Sequence, residues 1–374
     1  MPYDQIDATR IKTFPLAERK SLLDINKIAV DPDSYPPAAA GELEPAIEAL
    51  AKDIVEARAN GASVMLAYGA HLIKNGGGPL LNALIEKGFV THLATQGAGM
   101  IHDWEFAHMG VSSESVRENV AQGRFGTWEE TGVAINLSAL TGAAAGLGLG
   151  ESIGRFTLDD GVVLEDPQEL GRAIASQPGH PLTPARADLL GAMDNFKLPA
   201  GKYHVEHPFK RFSVAAHACR KGVPLTVHPG IGYDIYTNHP MFSGCAIGRT
   251  SQVDARVFAA SVMNLSGGVY LSVGSAIMSP QVFEKALSLA NNLRIAQGCD
   301  PVKDHTIAVV DIQDGGDWDW SRGEPPKDHP AYYLRFCKSF HRMGGKVKYL
   351  CGDNVTVLHN LYRKIKGFEQ SLSV

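Results

Sequence analysis

Short apolar runs recur along this chain, and each ends in a polar, glycine-bearing turn. Ser63 to Ala67 runs into the turn Tyr68 to Gly78, and Val90 to Ala94 into Thr95-Gln96-Gly97-Ala98-Gly99. The pattern returns at Pro224 to Val227, Gly268 to Val273, Thr306 to Asp311 and Lys346 to Leu350, with helical stretches between. Strands joined through helices must run parallel, because a tight hairpin cannot link parallel neighbours. Uninterrupted apolar runs suit strands buried on both faces. The six strand candidates therefore predict a doubly wound, mainly parallel α/β sheet with helices on both faces, Rossmann-type.

The six runs are spread over most of the chain. Residues 43–374 are read as a single α/β nucleotide-binding domain, beginning with an amphipathic helix through Leu43, Ile47, Leu50 and Ile54. Residues 1–42, irregular and Pro-rich near Tyr35-Pro36-Pro37, are read as an N-terminal arm. The rhythm breaks at about 110–205, which reads as a helical insertion. The 374 residues carry a formal charge of −5 with no long basic run, which argues against a nucleic-acid or membrane surface. Thr131 to Gly150 is uncharged, but its glycines and small residues suit packing inside a protein better than a membrane span. Five scattered cysteines form no C-x-x-C pair and read as reduced thiols, consistent with a cytoplasmic protein. The Gly/Ala-rich segment and the tryptophans near 318 suggest surfaces for a homo-oligomer, dimer or tetramer.

In an open parallel sheet, ligands bind beyond the carboxyl ends of the strands. Asn75-Gly76-Gly77-Gly78 is read there as a pyrophosphate cradle, and Thr95-Gln96-Gly97-Ala98-Gly99 as a second cofactor turn, since small residues admit close backbone approach. The first is not a Gly-x-Gly-x-x-Gly fingerprint, since Pro79 stands where it would continue, and could be a ligand-free strand-to-helix turn. Ser275 and Asp234 join the cofactor set, Asp234 or Asp103 for a ribose hydroxyl. His102 and Asp103 are read as a proton-handling pair, with a helix cap as the structural alternative. His228 closes another strand and is the second proton-transfer candidate. Glu129 and Glu130, and Asp314, Asp317 and Trp318, are acidic and aromatic groups suited to an amine-bearing small-molecule substrate. Glu105 with His108, and His204 with Glu206 and His207, have ligand-like spacing, but no second copy exists and no metal is assigned.

Residues 63–103 resemble the first NAD-binding part of deoxyhypusine synthases, through a buried strand, polar loop, helix, second strand and Thr-x-x-Gly-type turn. The same segment is similar to the C-terminal domain of ornithine cyclodeaminase and arginine dihydrolase proteins, with His102-Asp103-Trp104-Glu105 matching an H-D-x-E piece. Val223 to Asp234, Gly268 to Pro280 and Ala308 to Asp317 resemble later strands and the acidic loop of the synthases. The resemblance implies NAD as cofactor and an amine-containing substrate. It also implies a Trp-Gly-Lys lysine, which this sequence lacks. Lys327, beside two prolines and Asp328, is the nearest lysine and reads as exposed. Two other readings stay open: a non-catalytic or regulatory ligand-binding protein of the same fold, and a metal-assisted lyase or hydrolase using His102, Glu105, His108 or His228.

Overall fold

The computed structural model describes residues 3–39 and 43–372. The ends of the expected arm, 1–2 and 40–42, lie outside them. The chain divides into two compact units. Unit 1 comprises 1–27, 100–220 and 229–254; unit 2 comprises 28–99, 221–228 and 255–374.

Unit 2 holds the sheet. Its strands are β1 Val64–Tyr68, β2 His92–Thr95, β3 Leu225–Val227, β4 Val269–Val273, β5 Thr306–Asp311 and β6 Lys346–Cys351. All six expected strands are present. Their spatial order is β6-β5-β4-β1-β2-β3, and every neighbouring pair is parallel. This is the order of a Rossmann-type doubly wound sheet, whose direction of winding reverses between β1 and β4. β1 and β4 are buried at every position, which explains why both read as continuous apolar runs. Phe258, Val262, Phe283, Phe336 and Phe340 pack with Met65, Tyr270 and Ile307 in one apolar cluster. Truncating a large member of such a cluster to alanine costs ~2–5 kcal/mol. The Leu43–Ala59 helix buries Ile47, Leu50, Ala51, Ile54 and Ala57, the helical spacing visible in its sequence.

Unit 1 is mainly helical. It contains the helices Glu129–Ala145, Leu149–Leu158, Pro167–Ser176 and Thr183–Asn195. Two short antiparallel ladders join Leu23–Asp24 to Val111–Ser112 and Gly161–Leu164 to Gly201–His204. The Gly/Ala-rich stretch forms the first of these helices, with twelve residues from Thr131 to Ala143 buried. Gly146 ends it in the left-handed conformation, with φ 74°. Its N–H bonds back to Ala143, and that of Leu147 to Gly142. At Gly142 a side chain would collide with that of Ser152 in the next helix, so the Ser152 side chain packs on the bare backbone of Gly142. Among the described residues no single helix is long and apolar enough to cross a membrane; this helix and the next bend by 113° at their junction.

The two surfaces expected to drive self-association are both covered by the chain itself. The 131–143 stretch is core, Trp320 is buried, and Trp318 is half-buried against the sheet's apolar cluster. All five cysteines are free thiols.

Candidate functional site

The strand order places the candidate site at the carboxyl edge of β1 and β4, inside unit 2. The residue after β1 is Gly69 and the residue after β4 is Gly274. The Gly69 N–H bonds to the Val273 carbonyl at 2.9 Å, and a Cβ at Gly69 would collide with the Gly274 carbonyl oxygen. Gly274 has φ 60°, and a Cβ there would meet the Asn354 amide. The backbones are thus bare and in contact at the switch point, where glycine is the residue that fits. Asn354 opens the helix Asn354–Leu372 just after β6, and its Oδ1 is buried with no hydrogen-bond partner among the described residues. Ser275 lies beside Gly274, is buried, and accepts a bond from the Ser279 N–H at 3.3 Å, capping the helix Met278–Ala296. Sequence reading included Ser275 but missed Gly69 and Asn354; Gly69 was hidden by the richer glycine run a few residues later.

That run, Asn75 to Gly78, lies one short helix further on, beyond Ala70–Lys74. Gly76 has φ 81°, its carbonyl accepts from Val30 at 3.0 Å, and a Cβ would strike the Ile28 carbonyl. A Cβ at Gly77 would lie 2.6 Å from Leu72 Cδ1. Gly78 starts the helix Gly78–Glu86, with Pro79 in its first turn. Asn75 caps the preceding short helix. The close approach these glycines permit is to their own chain.

Thr95 ends β2 and donates to the Tyr68 carbonyl at 3.0 Å. The Gln96 amide, in its satisfied orientation, donates to the same carbonyl at 3.2 Å and accepts from the Ala70 N–H at 3.1 Å. Gly97, Ala98 and Gly99 are the first turn of the helix Gly97–Met109, not a loop, and Gly99 packs on the Thr95 side chain. β1 and β2 are therefore laced together at their carboxyl ends, and the helix N-terminus opens there with its positive end.

His228 follows β3, with its N–H bonded to the Thr95 carbonyl at 2.8 Å. It is half-buried, and its Nε2 lies 3.1 Å from Thr226 Oγ1. Thr226 Oγ1 also lies 3.0 Å from Nε2 of fully buried His92, whose Nδ1 is 2.8 Å from Ser261 Oγ. Phe258 stands edge-on to both imidazoles, 5.3 Å from each ring centre. Burial holds His228 down to about 4. Burial, then the neighbouring His228, holds His92 down to about 3, so both rings are neutral at pH 7. Sequence reading named His228 and missed His92: a histidine opening an apolar strand carries no signal of its partners.

The loop after β5 carries Asp314, Asp317 and Trp318. Both acids are exposed, and Asp314 accepts from the Gly316 N–H at 2.8 Å. Trp318 donates to the Gly323 carbonyl at 2.9 Å and packs against His329 and the Arg322 guanidinium. Lys327 is exposed.

The remaining site residues belong to unit 1. His102 and Asp103 lie in the second turn of the Gly97–Met109 helix and face different partners. Asp103 is buried; it accepts from Ser213 Oγ at 2.6 Å and from the Val214 and Ala215 N–H groups at 2.7 and 3.3 Å, capping the helix Val214–Lys221. Burial outweighs these bonds and raises its carboxyl to about 6. Asp103 thus caps a distant helix rather than its own. His102 Nδ1 lies 2.8 Å from Ser112 Oγ, which donates to Glu105 Oε2 at 2.5 Å. Glu105 also takes a two-pronged bond from buried Arg19, at 2.7 and 2.9 Å, and a third from Thr131 at 3.0 Å. Asp234 is buried and accepts from the Gly230 N–H at 2.8 Å, shaping the loop after β3. Glu130 accepts from the Leu16 N–H at 2.6 Å, and Glu129 lies 3.4 Å from His239 Nε2. His207 is paired with Asp160, and His204 and Glu206 are exposed. Among the described residues, no group of three or more His, Cys, Asp or Glu side chains is arranged to hold a metal ion.

Residues 48–165 match the family model described as arginine dihydrolase ArgZ-like, C-terminal, Rossmann fold. That is under half of the chain, and it falls on the second of the two resemblances read from the sequence. No curated protein is matched. Among solved structures, AgrE in a ternary complex with ornithine and NAD+ aligns over 89% of this chain and 34% of its own, at 14% identity and a TM-score of 0.44. ArgZ, an arginine dihydrolase from the cyanobacterial ornithine-ammonia cycle, aligns over 87% and 33%, at 14% identity and 0.40. A LOR/SDH protein from Methanococcus maripaludis S2 aligns over 90% and 71%, at 14% identity and 0.42. The chain spans about a third of the length of the AgrE and ArgZ chains it matches.

Proposed function

We propose that unit 2 binds NAD across the carboxyl edge of β1 and β4 and acts with it on a small amine-containing substrate. The observation that carries the reading is the bare backbone contact of Gly69 and Gly274 at the point where the winding of an all-parallel sheet reverses, the position at which such sheets take nucleotides. The buried, unpartnered Asn354 Oδ1 beside Gly274 fits a ligand that brings a hydrogen-bond donor. The match of residues 48–165 to a Rossmann-fold family model supports the same reading.

Gly69, Gly274, Ser275 and Asn354 would hold the cofactor, with the first turn of the Gly97–Met109 helix offering N–H groups to its phosphates. Bound there, NAD would supply a hydride acceptor or donor. His228, neutral and with Nε2 committed to Thr226, would take or give the accompanying proton at Nδ1. Asp314 and Asp317, exposed after β5, would attract an ammonium group.

Thermal unfolding with added nucleotide tests this reading. A ligand selective for the folded state stabilises it by about 2.7 kcal/mol at a hundredfold excess over Kd. NAD is expected to raise the midpoint, and Asn354→Leu to abolish the rise while leaving the ligand-free midpoint near wild type. No rise with millimolar NAD, NADH or NADP would overturn the cofactor reading. A rise with no turnover of any amine would leave the ligand-binding alternative standing in its place.

A further inference from the structure

We propose that Ser261, His92, Thr226 and His228 form a reversible proton relay that lets His228 serve as both acid and base without becoming charged. The proposal rests on the reading of His228 as the proton-handling group, and adds His92 and Thr226 to it as positioning residues.

The geometry is set by the sheet. Ala94 of β2 pairs with Thr226 of β3. Side chains two residues apart on a strand share a face, so His92, Thr226 and His228 all lie on one face of the sheet. The Gly244–Met263 helix covers that face, contributing Phe258 against both rings and Ser261 at the far end. The links measure 2.8, 3.0 and 3.1 Å from Ser261 to His228. Burial is the cause of the low basicity of His228, and burial and His228 are the causes at His92; apart from that effect of His228 on His92, no acidic or basic side chain contributes at either ring. The two rings are therefore joined by one neutral hydroxyl, that of Thr226.

A hydroxyl between two imidazoles has one proton to give. If it gives that proton to His228 Nε2, it accepts from His92 Nε2, and His228 carries its own proton on Nδ1. If it gives to His92 Nε2, His228 holds its proton on Nε2 and offers a lone pair at Nδ1. The array thus has two polarities, one with His228 ready to donate and one ready to accept. In donation, the Nδ1 proton of His228 leaves to the acceptor at the sheet edge. The Thr226 proton passes to His228 Nε2, the His92 Nε2 proton to Thr226, and the Ser261 hydroxyl proton to His92 Nδ1. Water replaces the proton on half-buried Ser261. One proton leaves at the sheet edge, one enters from solvent, and no ring is left charged. A Thr226 hydroxyl that accepted from both rings and gave its proton elsewhere would satisfy the same ring nitrogens without making the tautomer of one ring depend on the other.

Nitrogen-15 NMR of histidine-labelled full-length protein reads each tautomer directly, with Ser261→Ala, Thr226→Val and wild type compared. Ser261→Ala is the main arm, because it alters a half-buried hydroxyl three hydrogen bonds from His228. The relay predicts that it changes the tautomer ratio at both His92 and His228 severalfold. Thr226→Val should uncouple the rings, so that adding Ser261→Ala then moves His92 alone. A response confined to His92 in the otherwise wild-type protein would overturn the relay. NAD-induced stabilisation, measured on the same samples, separates the two ideas: coupled tautomers without a nucleotide shift would retain the relay and remove the cofactor.

Discussion

Two buried polar networks, one in each unit, use histidine and hydroxyl groups in opposite ways. In unit 1, Arg19 and Glu105 form a two-pronged ion pair, and Thr131 and Ser112 fill the remaining carboxylate positions, with His102 bonded to Ser112. In unit 2, the Ser261–His92–Thr226–His228 chain holds no charge at neutral pH. A charged pair out of water fixes the direction of every bond around it, because each donor must point at the carboxylate. A neutral chain of hydroxyls and imidazoles has two directions of similar energy. The first arrangement suits holding the segment that carries Arg19; the second suits moving protons.

The contrast can be broken most forcefully at Glu105. Glu105→Ala leaves the Arg19 guanidinium buried without its partner, and the expected loss is ~3–5 kcal/mol in denaturant unfolding. A loss under about 1 kcal/mol would show that the pair is solvated and the network is not charge-locked. Thr226→Val in the neutral chain removes the hydroxyl that partners Nε2 of both His92 and His228, for ~1–3 kcal/mol. Equal losses at the two sites would erase the distinction.

Gly77→Val separates packing from ligand contact at the glycine run. Its Cβ would press on Leu72, so the ligand-free midpoint is expected to fall, with a cost of ~1–3 kcal/mol for overpacking. An unchanged midpoint together with lost nucleotide binding would restore Gly76 and Gly77 as a phosphate cradle.

The pH dependence sharpens the comparison further. His92 and His228 are held below the usual imidazole value of 6.5, to about 3 and about 4. Between pH 6.5 and those values the unfolded chain binds protons that the folded chain refuses, so stability falls as pH falls, by about 1.4 kcal/mol per pH unit for each such histidine. Asp103 works the other way. Its carboxyl is raised from 3.8 to about 6, so the folded chain keeps a proton that the unfolded chain has lost, and that contribution disappears as pH rises through about 6. Asp103→Asn is therefore expected to steepen the acid loss between pH 4 and 6. A stability profile flat from pH 7 to pH 4 would contradict the buried, neutral histidines.

The same contrast explains what the sequence made legible. The six strands were readable because burial on both faces writes itself as a local apolar run, as in Val64 to Tyr68 and Val269 to Val273. The carboxyl-edge position of Ser275 and His228 followed from those runs. The partners did not. Asp103 meets Val214 across 111 residues, and Arg19 meets Glu105 across 86. No spacing rule reports such pairs, so the partners of Asp103 and Glu105 could not be read from the sequence. Glycine was misleading for a related reason. Gly76 answers to Ile28 and Gly142 to Ser152; Gly69, a lone glycine, answers to Gly274 across the two strands between which the winding reverses.

We propose the carboxyl edge of β1 and β4 as the nucleotide site. Backbone amide NMR of the deuterated protein during NAD titration tests it residue by residue. The account predicts saturable shifts at the Gly69, Gly274 and Ser275 amides and at the Asn354 side-chain amide, with Gly76 and Gly77 unmoved. Shifts centred on Gly76 and Gly77, or none at all at millimolar NAD, would contradict it.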